Sequence, residues 1–298
     1  MDQIARKLAA SITGAVRTKE PLCRHTSFKI GGPADLFVEP ATIEELAFTL
    51  ACLRQAGVEW FLLGNGTNLL VHDAGFRGAV IRLAGDFRRY EFDGLIVRAG
   101  AAVSLAHLAR ETGRRGYAGL AFAAGIPGTV GGALATNAGA HGVAFGDVVA
   151  DAQIMDESGE LHTCLPETLG LAYRKSNISP AHVVCAVTLQ LSAGDREELE
   201  RQCRDDFLFR RKHQPHQPNA GSIFKNPPGD VAGRLIEAAG LKGCRVGGAV
   251  ISAVHANFIV NDGQATAADV MALIDKARAE VAGKFGIELE LEICLLGY

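Results

Sequence analysis

Residues 63–71 read Leu63-Gly64-Asn65-Gly66-Thr67-Asn68-Leu69-Leu70-Val71, so glycines and small polar residues separate two apolar runs. A turn of this composition can point its backbone N–H groups at an anion, because glycine admits positive φ and allows close approach. A simple turn is the commoner explanation of one such stretch by itself. The stretch also lacks the Rossmann fingerprint Gly-x-Gly-x-x-Gly, because Leu69 stands where the third glycine is required.

A second glycine-rich stretch runs Gly125-Ile126-Pro127-Gly128-Thr129-Val130-Gly131-Gly132-Ala133 and is followed by Asn137-Ala138-Gly139-Ala140-His141-Gly142. A dinucleotide has two phosphates and two ring systems to hold. Two loops separated by strands therefore favour an FAD site outside the Rossmann fold over two unrelated turns. The candidate FAD-binding residues are Gly64, Asn65, Gly66, Thr67, Asn68, Gly125, Ile126, Pro127, Gly128, Thr129, Gly131, Gly132 and Ala138.

The segments around the loops predict an α+β fold. Thr42-Ile43-Glu44-Glu45 matches a capping box and predicts a helix that Gly57 ends. Short apolar runs between residues 69 and 155 predict strands, with one helix after Ser104. We therefore expect mixed α and β layers in this part of the chain.

A long charged helical pattern covers residues 197–212, and we place the domain boundary on it. Residues 1–200 are expected to form an FAD-binding region with two subdomains, about 1–70 and 71–200. Residues 201–298 are expected to form a substrate-binding domain.

Three elements are predicted near the C-terminal end. Residues 255–260 are expected to form a strand, and Thr266-Ala267-Ala268-Asp269 is expected to cap a helix. Residues 287–295 alternate between apolar and polar side chains, which predicts a last strand with one buried face. Its polar face carries Glu288, Glu290, Glu292 and Cys294.

The composition excludes several classes of function. Of the 298 residues, 48% are hydrophobic and 21% charged, as in ordinary globular proteins. The net charge of −3 gives no overall basic field for nucleic acid or an anionic membrane. The seven scattered cysteines argue against a disulfide framework and a metal site. With no apolar run of membrane-spanning length, we expect a cytoplasmic protein without nucleic-acid, membrane or required protein partners.

A serine stands in the loop Asn219-Ala220-Gly221-Ser222-Ile223-Phe224-Lys225-Asn226-Pro227. Its hydroxyl can give up a proton if the conjugate base is stabilised or the proton is relayed through water. No histidine or aspartate lies close to Ser222 in the sequence, and no Gly-x-Ser-x-Gly elbow is present, which disfavours a hydrolase. On these residues alone, an ordinary turn serine is the commoner alternative to a proton donor.

Two further candidates are weak when taken singly. Arg174 follows Tyr173 and could bind a carboxylate through two hydrogen bonds, although a surface ion pair is the commoner role of such a residue. Glu292 is one of three glutamates on the polar face of the last predicted strand. The alternation of apolar and polar residues does not distinguish Glu292 from an ordinary solvated side chain.

Taken together, these motifs resemble the UDP-N-acetylenolpyruvoylglucosamine reductase family over residues 25–297. The short passage from Ser176 to the charged helix resembles the compact subtype of that family, which lacks an inserted substrate loop. The resemblance rests on the following motifs in this order: His25-Thr26-Ser27-Phe28-Lys29-Ile30-Gly31-Gly32-Pro33-Ala34-Asp35, both glycine-rich loops, Tyr173-Arg174, Arg211 with Gln214-Pro215, the serine loop, Gly240-Leu241-Lys242-Gly243, His255-Ala256-Asn257-Phe258 and Leu289-Glu290-Leu291-Glu292-Ile293.

The resemblance implies an FAD-binding fold of the vanillyl-alcohol oxidase/p-cresol methylhydroxylase type with a C-terminal α+β substrate-binding domain. It implies an NADPH-dependent flavoenzyme that reduces the enolpyruvyl ether of UDP-N-acetylglucosamine to UDP-N-acetylmuramate, a step of peptidoglycan precursor synthesis. NADPH would reduce FAD, and the substrate would then take hydride from FAD.

The resemblance also implies the catalytic roles. Ser222 would protonate the second alkene carbon, while Arg174 and Glu292 would stabilise the enolate that forms on the substrate. The substrate-binding candidates are Tyr173, Arg211, Lys225 and Asn226.

Two positions depart from the family pattern, and one of them is Ala121, which replaces an acidic residue common after the Gly-Leu pair. Cys294 stands two residues after Glu292, where the family usually has an arginine. An opposite charge favours ionisation of a carboxyl group, so the missing arginine should raise the pKa of Glu292 relative to that of its relatives.

Two other functions remain open at this stage. The first is a flavin oxidase or dehydrogenase of the same fold acting on another substrate, because fold alone does not fix chemistry. The second is a non-catalytic nucleotide-sugar binding protein. The serine loop argues against the first, and the joint presence of Ser222, Arg174 and Glu292 argues against the second.

Overall fold

The computed structural model describes residues 1–298. Its helices are α1 (Asp2–Ala9), α2 (Ile43–Gln55), α3 (Leu105–Arg114), α4 (Val130–Ala135), α5 (Pro166–Leu169), α6 (Arg196–His213), α7 (Ala232–Ala238) and α8 (Ala267–Phe285). Its strands are β1 (Val16–Pro21), β2 (Pro33–Val38), β3 (Trp60–Leu62), β4 (Leu69–Val71), β5 (Phe76–Ile81), β6 (Tyr90–Asp93), β7 (Ile96–Gly100), β8 (Tyr117–Ala118), β9 (Gly139–Ala140), β10 (Val143–Ala144), β11 (Val149–Met155), β12 (Leu161–Cys164), β13 (Val183–Gln190), β14 (Ser192–Ala193), β15 (Arg245–Val246), β16 (Ala249–Ile251), β17 (Ile259–Asn261) and β18 (Cys294–Leu296). None of the helices combines the length and apolar character that a membrane span needs.

The chain folds into two compact units, each built from separate pieces of sequence. Unit 1 contains residues 1–18, 35–64 and 78–209, and unit 2 contains residues 19–34, 65–77 and 210–298. Each unit has its own apolar core. Leu36 and Phe145 are fully buried in the first core, and Phe28 in the second.

The two largest sheets of the chain lie mainly in unit 1. The five-stranded sheet has the order β12-β11-β13-β7-β6, and all its neighbours are antiparallel. The second sheet has the order β1-β2-β5-β3, in which β3 runs parallel to β5. β13 lies in the centre of its sheet. All of its residues except Ala186 and Gln190 are buried.

Unit 2 combines short strands with two helices. An antiparallel sheet has the order β15-β16-β17, and β18 pairs in parallel with β4. Helix α8 buries an apolar face that includes Val270, Leu273 and Ile274. The last strand of the chain is thus fixed against residues 69–71, which immediately follow the first glycine-rich loop.

Three of the predicted helices begin with a side-chain cap. Thr42 accepts a hydrogen bond from Glu45 N at the start of α2, and Ser104 accepts one from His107 N at the start of α3. Thr266 and Asp269 form a complete capping box on α8. These three predictions are confirmed, because in each case the hydroxyl satisfies a backbone N–H that the helix leaves unpaired.

The predicted strand at residues 255–260 is wrong in its first half. Ser252 Oγ accepts hydrogen bonds from the N–H groups of Val254 and His255, and Phe258 N donates to the His255 carbonyl. These bonds hold a turn, so β17 begins only at Ile259. The predicted last strand is likewise shorter than expected, since only Cys294–Leu296 forms a strand. Leu289 and Ile293 are buried and Glu290 is exposed as predicted, but Leu291 and Glu292 are both half-buried and Leu296 is buried in place of Leu295.

A buried carboxylate in unit 1 binds two arginines. Glu39 is 7% exposed and accepts hydrogen bonds from Arg82 Nε at 2.9 Å and Arg17 Nη1 at 3.1 Å. Burial acts to raise the pKa of Glu39. The hydrogen bonds and charges of Arg82, followed by those of Arg17, outweigh burial and hold that pKa below its ordinary value.

We expect Glu39→Gln to lower the free energy of unfolding by about 1–3 kcal/mol at neutral pH, because two arginines lose their charged partner. A depressed folded-state pKa gives stability that is present above the unfolded-state pKa and lost as pH falls through the folded-state value. The difference between the two proteins should therefore shrink below about pH 4. Urea unfolding over a pH series measures it, with Glu91→Gln as an exposed control. A difference that stays constant down to about pH 2 would contradict this assignment.

Candidate active site

The two glycine-rich loops meet in unit 1 through Gly64 and Thr129. A Cβ added to Gly64 would lie 3.2 Å from Thr129 Oγ1, which is tighter than an ordinary carbon contact. Thr129 is buried and accepts a hydrogen bond from Gly132 N, so it caps the short helix α4. Glycine at position 64 therefore lets the two loops lie side by side.

The glycines of the second loop have different surroundings. A Cβ at Gly131 would lie 2.8 Å from the Cβ of Ala101, so this glycine allows α4 to pack closely. A Cβ at Gly128 would meet no heavy atom within 4 Å. A side chain at position 128 would thus meet open space, whereas Gly131 serves packing.

Arg174 occupies a tight turn next to this loop. The turn is closed by two hydrogen bonds between the backbones of Ala172 and Lys175, and Arg174 has a φ of 54°. Its guanidinium donates to the Gly139 carbonyl at 3.1 Å. The Asn137 side chain supports the same turn by donating to the Ala172 carbonyl at 3.0 Å. Arg174 is therefore held against the end of the second glycine-rich loop.

The remainder of the first loop lies in unit 2, where Gly66 packs against the chain at His25. A Cβ at Gly66 would lie 2.2 Å from the His25 carbonyl oxygen and 2.9 Å from Thr26 Cα. Gly66 also has a φ of 62°. Both facts require glycine here, since a side chain would be strained and would overlap backbone.

Glu292 is bound to the same loop through Asn68. The Asn68 side chain donates to the Glu292 backbone carbonyl at 3.1 Å, and Cys294 N donates to the Asn68 carbonyl at 3.0 Å. These bonds continue the β18–β4 pairing by two residues. The Glu292 backbone is thereby fixed directly beside the predicted FAD-binding loop.

Ser222 precedes a segment that is held from both sides. Glu292 N donates to the Ile223 carbonyl at 2.8 Å, and Ile223 N donates to the Asn257 carbonyl at 2.8 Å. The Asn257 side chain accepts from Phe224 N at 2.9 Å and donates to the Phe224 carbonyl at 2.8 Å. Ser222 and Glu292, which are 70 positions apart in the sequence, are therefore carried by adjacent hydrogen-bonded segments of unit 2.

A neutral histidine supports Asn257. Burial, followed by the charge of Lys242, lowers the pKa of His255 from its ordinary value. Its Nδ1 accepts a hydrogen bond from Asn257 N at 3.2 Å, which requires an unprotonated Nδ1. The depressed pKa favours the protonation state that holds Asn257 in place.

The structure places the four substrate-binding candidates in different surroundings. Lys225 forms an ion pair with Glu290, and Asn226 Oδ1 accepts a hydrogen bond from Ala232 N at 3.1 Å. Arg211 is exposed in the last turn of α6, and no hydrogen bond or ion pair joins it to the serine loop. Tyr173 is 62% exposed, with the Arg174 guanidinium 5.2 Å from its ring centroid.

Sequence reasoning missed the roles of Ser27 and Asn257. Ser27 N donates to the Gly66 carbonyl at 3.0 Å, and Ser27 Oγ lies 2.6 Å from the Asn219 carbonyl oxygen. Asn257 stands inside the apolar run Ala256-Asn257-Phe258-Ile259, and it is 4% exposed. A polar residue in such a run signals a buried hydrogen-bonding role, because burial without partners is costly.

The residues of the loops fit an FAD site. The open space that a Cβ at Gly128 would meet and the contact between Gly64 and Thr129 give two adjacent glycine-rich loops that a diphosphate can approach closely. Arg174 adds a cation at the end of the second loop.

The chain is similar over its full length to several proteins called UDP-N-acetylenolpyruvoylglucosamine reductase. The protein from Symbiobacterium thermophilum is 48% identical, and the match covers 100% of this chain and 98% of that protein. The one from Heliobacterium modesticaldum is 47% identical, with 100% and 94% covered. The one from Bacillus subtilis is 39% identical, with 100% and 99% covered.

A solved structure and two family models give the same result. The crystal structure of UDP-N-acetylenolpyruvylglucosamine reductase from Thermus caldophilus matches with a TM-score of 0.83 and 39% identity, covering 96% of this chain and 99% of that one. Residues 34–165 match the FAD binding domain model, and residues 214–296 match the model of the C-terminal domain of UDP-N-acetylenolpyruvoylglucosamine reductase. The predicted α+β fold with an FAD-binding region is confirmed.

Proposed function

The chain belongs to the UDP-N-acetylenolpyruvoylglucosamine reductase family, and we propose that Ser222, Glu292 and Arg174 carry out its reaction on the enolpyruvyl ether of UDP-N-acetylglucosamine. The protein is an FAD-containing oxidoreductase. NADPH is the co-substrate, and the product, UDP-N-acetylmuramate, is a precursor of peptidoglycan. We place the reaction in the cytoplasm, and it needs no nucleic-acid, membrane or protein partner.

The observation that carries the proposal is the arrangement of the serine loop in unit 2. Ser222 precedes Ile223, whose carbonyl accepts a hydrogen bond from Glu292 N. The Glu292 carbonyl in turn accepts from the Asn68 side chain in the predicted FAD-binding loop. A proton donor, a carboxylate and a cofactor loop are thus held by one set of hydrogen bonds, as addition of hydride and a proton to one double bond requires.

FAD held by the glycine-rich loops would supply the hydride that the methylene carbon of the enolpyruvyl group accepts. Ser222 gives its proton to the neighbouring alkene carbon, so that hydride and proton together saturate the double bond. A serine hydroxyl is a weak acid, and it donates only when negative charge develops on the substrate. Its half-buried position limits the water that could replace it as the donor.

Arg174 and Glu292 act on the carboxylate end of the substrate. As hydride adds, negative charge moves toward this carboxylate, and the Arg174 guanidinium stabilises that charge. Glu292 acts on the same enolate, either as an acid or by polarising it. The hydrogen bonds that fix the backbones of both residues keep these groups in place before the substrate arrives.

The remaining candidates complete the proposed site. Tyr173, Arg211, Lys225 and Asn226 contact the substrate. Residues 1–200 form the FAD-binding region, with subdomains at about 1–70 and 71–200. Residues 201–298 form the substrate-binding domain.

The test follows the flavin absorbance of the purified protein without oxygen. NADPH should bleach the flavin, and UDP-N-acetylglucosamine enolpyruvate should restore its colour. Recovery on addition of oxygen alone would instead indicate a flavin enzyme of the same fold that acts on another substrate. A flavin that NADPH does not bleach would indicate a nucleotide-sugar binding protein.

We expect Cys294→Arg to shift the acid-side limb of the pH profile toward lower pH. A guanidinium two residues from Glu292 favours the ionised carboxyl group and lowers its pKa. The measurement is kcat/KM over a pH series, with Cys294→Gln as a long, uncharged control. Identical profiles for the arginine variant and the wild type would contradict the proposed titration of Glu292.

A further inference from the structure

Ser27 lies where the two functional loops of unit 2 approach each other. It follows Thr26, which is 2% exposed, and precedes Phe28, which is fully buried, so its backbone is firmly held. Its N–H donates to the Gly66 carbonyl at 3.0 Å. Its Oγ lies 2.6 Å from the Asn219 carbonyl oxygen and 3.2 Å from that of Gly66.

The single hydroxyl proton of Ser27 is directed to Asn219. The Gly66 carbonyl already accepts the Ser27 N–H, and the contact with Asn219 is the shorter by 0.6 Å. Ser27 thus bonds one loop through its backbone and the other through its side chain. The residues joined in this way, Ser27 and Asn219, are 192 positions apart in the sequence.

Asn219 determines the path of the chain that leads to Ser222. Its Oδ1 accepts a hydrogen bond from Gly221 N at 2.8 Å, and its Nδ2 donates to the Gln217 carbonyl at 2.8 Å. Gly221 has a φ of 80°, so the chain turns sharply just before Ser222. A displacement of the Asn219 carbonyl would therefore be passed on to Ser222 within three residues.

We propose that Ser27 is a positioning residue for proton transfer, which fixes the distance between the glycine-rich loop at Gly66 and the loop that carries Ser222. The proposal rests on the proposed function, because it assumes that Ser222 is the proton donor. Ser27 does not touch the reacting atoms. It acts through the Asn219 carbonyl, and its effect is confined to the step in which Ser222 takes part.

Ser27→Ala separates the two bonds, since it removes the hydroxyl and keeps the N–H. We expect FAD content and the rate of FAD reduction by NADPH to remain as in the wild type. The rate of flavin reoxidation by the enolpyruvyl substrate should fall about 10-fold, because misplacement of a catalytic group by a fraction of an ångström has effects of this order. Ser27→Cys, with a weaker donor of similar size, should show the same selective loss to a smaller extent. Ser27→Thr keeps a hydroxyl and should restore most of the rate.

Two controls separate positioning from a general loss of stability. Thr26→Val removes the neighbouring hydroxyl, which bonds only the nearby Ile30 carbonyl, and should leave both half-reactions unchanged. In a Ser222→Ala background, Ser27→Ala should have no further effect on reoxidation, because it acts through Ser222. Further slowing in that background would overturn the proposal.

The outcomes distinguish this proposal from the proposed function. If the enolpyruvyl compound fails to reoxidise the wild-type flavin, the proposed function fails. If it reoxidises the wild type and Ser27→Ala equally fast, the role of Ser27 alone is refuted. Equal slowing of both half-reactions in Ser27→Ala would also refute it, since a loosened cofactor loop would then be the cause.

Discussion

Ser222→Ala is expected to slow the reduction of the enolpyruvyl substrate by about 10²- to 10⁴-fold, the range for removal of a positioned proton donor. The reduction of FAD by NADPH should keep its rate, because that half-reaction takes no proton from Ser222. The backbone bonds of Ile223 and Phe224 do not involve the hydroxyl, so the loop should keep its conformation.

Anaerobic stopped-flow absorbance measures the two half-reactions of this variant separately. Ser222→Cys serves as a matched variant, because a thiol of similar size still carries a proton, and we expect it to retain more activity than alanine. Ser158→Ala, in the exposed turn between β11 and β12, controls for loss of a hydroxyl elsewhere. Equal losses in both half-reactions of Ser222→Ala would contradict the assignment of Ser222 as the proton donor.

Gly66→Ala is expected to produce protein that has lost most of its FAD and unfolds at a clearly lower temperature. An alanine here is strained at a φ of 62°, and its Cβ would overlap the backbone of His25 and Thr26. Strain and overlap together should cost about 2–5 kcal/mol. Relief of the overlap would move the glycine-rich loop, which also carries the bonds from Ser27 and Asn68.

Gly57→Ala is a matched control for this variant, because Gly57 also has a φ of 62° but a Cβ there meets no atom within 4 Å. It should cost only the backbone strain, about 1–2 kcal/mol, and keep its FAD. The ratio of flavin absorbance to protein absorbance and the thermal midpoint give the comparison. Equal behaviour of the two variants would show that close packing at Gly66 is unimportant for the cofactor.

Local signals in the sequence predicted the helix starts well. Thr42, Ser104 and Thr266 each have a hydroxyl that the next turn of helix can use, and this depends only on neighbouring residues. The strand predicted from residue 255 was wrong in its first half because the Ser252 hydroxyl and the His255 carbonyl accept hydrogen bonds that hold a turn. The Asn257 side chain also bonds the backbone of Phe224, and nothing near Asn257 in the sequence indicates this partner 33 positions away.

The composition of the site was predictable only in part. Glycine content indicated the two loops, but it did not separate Gly131, which allows helix packing, from Gly128, where a side chain would meet open space. Nothing local to Ser27 indicates a bond to Asn219, because the two are brought together only by the folded chain. The pairing of β18 with β4 is non-local in the same way.

The discontinuous make-up of unit 2 has a consequence for how the protein is made. During synthesis, residues 19–34 and 65–77 leave the ribosome well before residues 210–298, which they need to complete their unit. Their apolar side chains, which include Phe28 and Leu70, lack their core partners and are exposed to solvent while unit 1 is being translated. β18 supplies the partner of β4 and is translated long after it. A chain whose synthesis stops before residues 294–296 would therefore have an intact unit 1 sequence and no partner for β4.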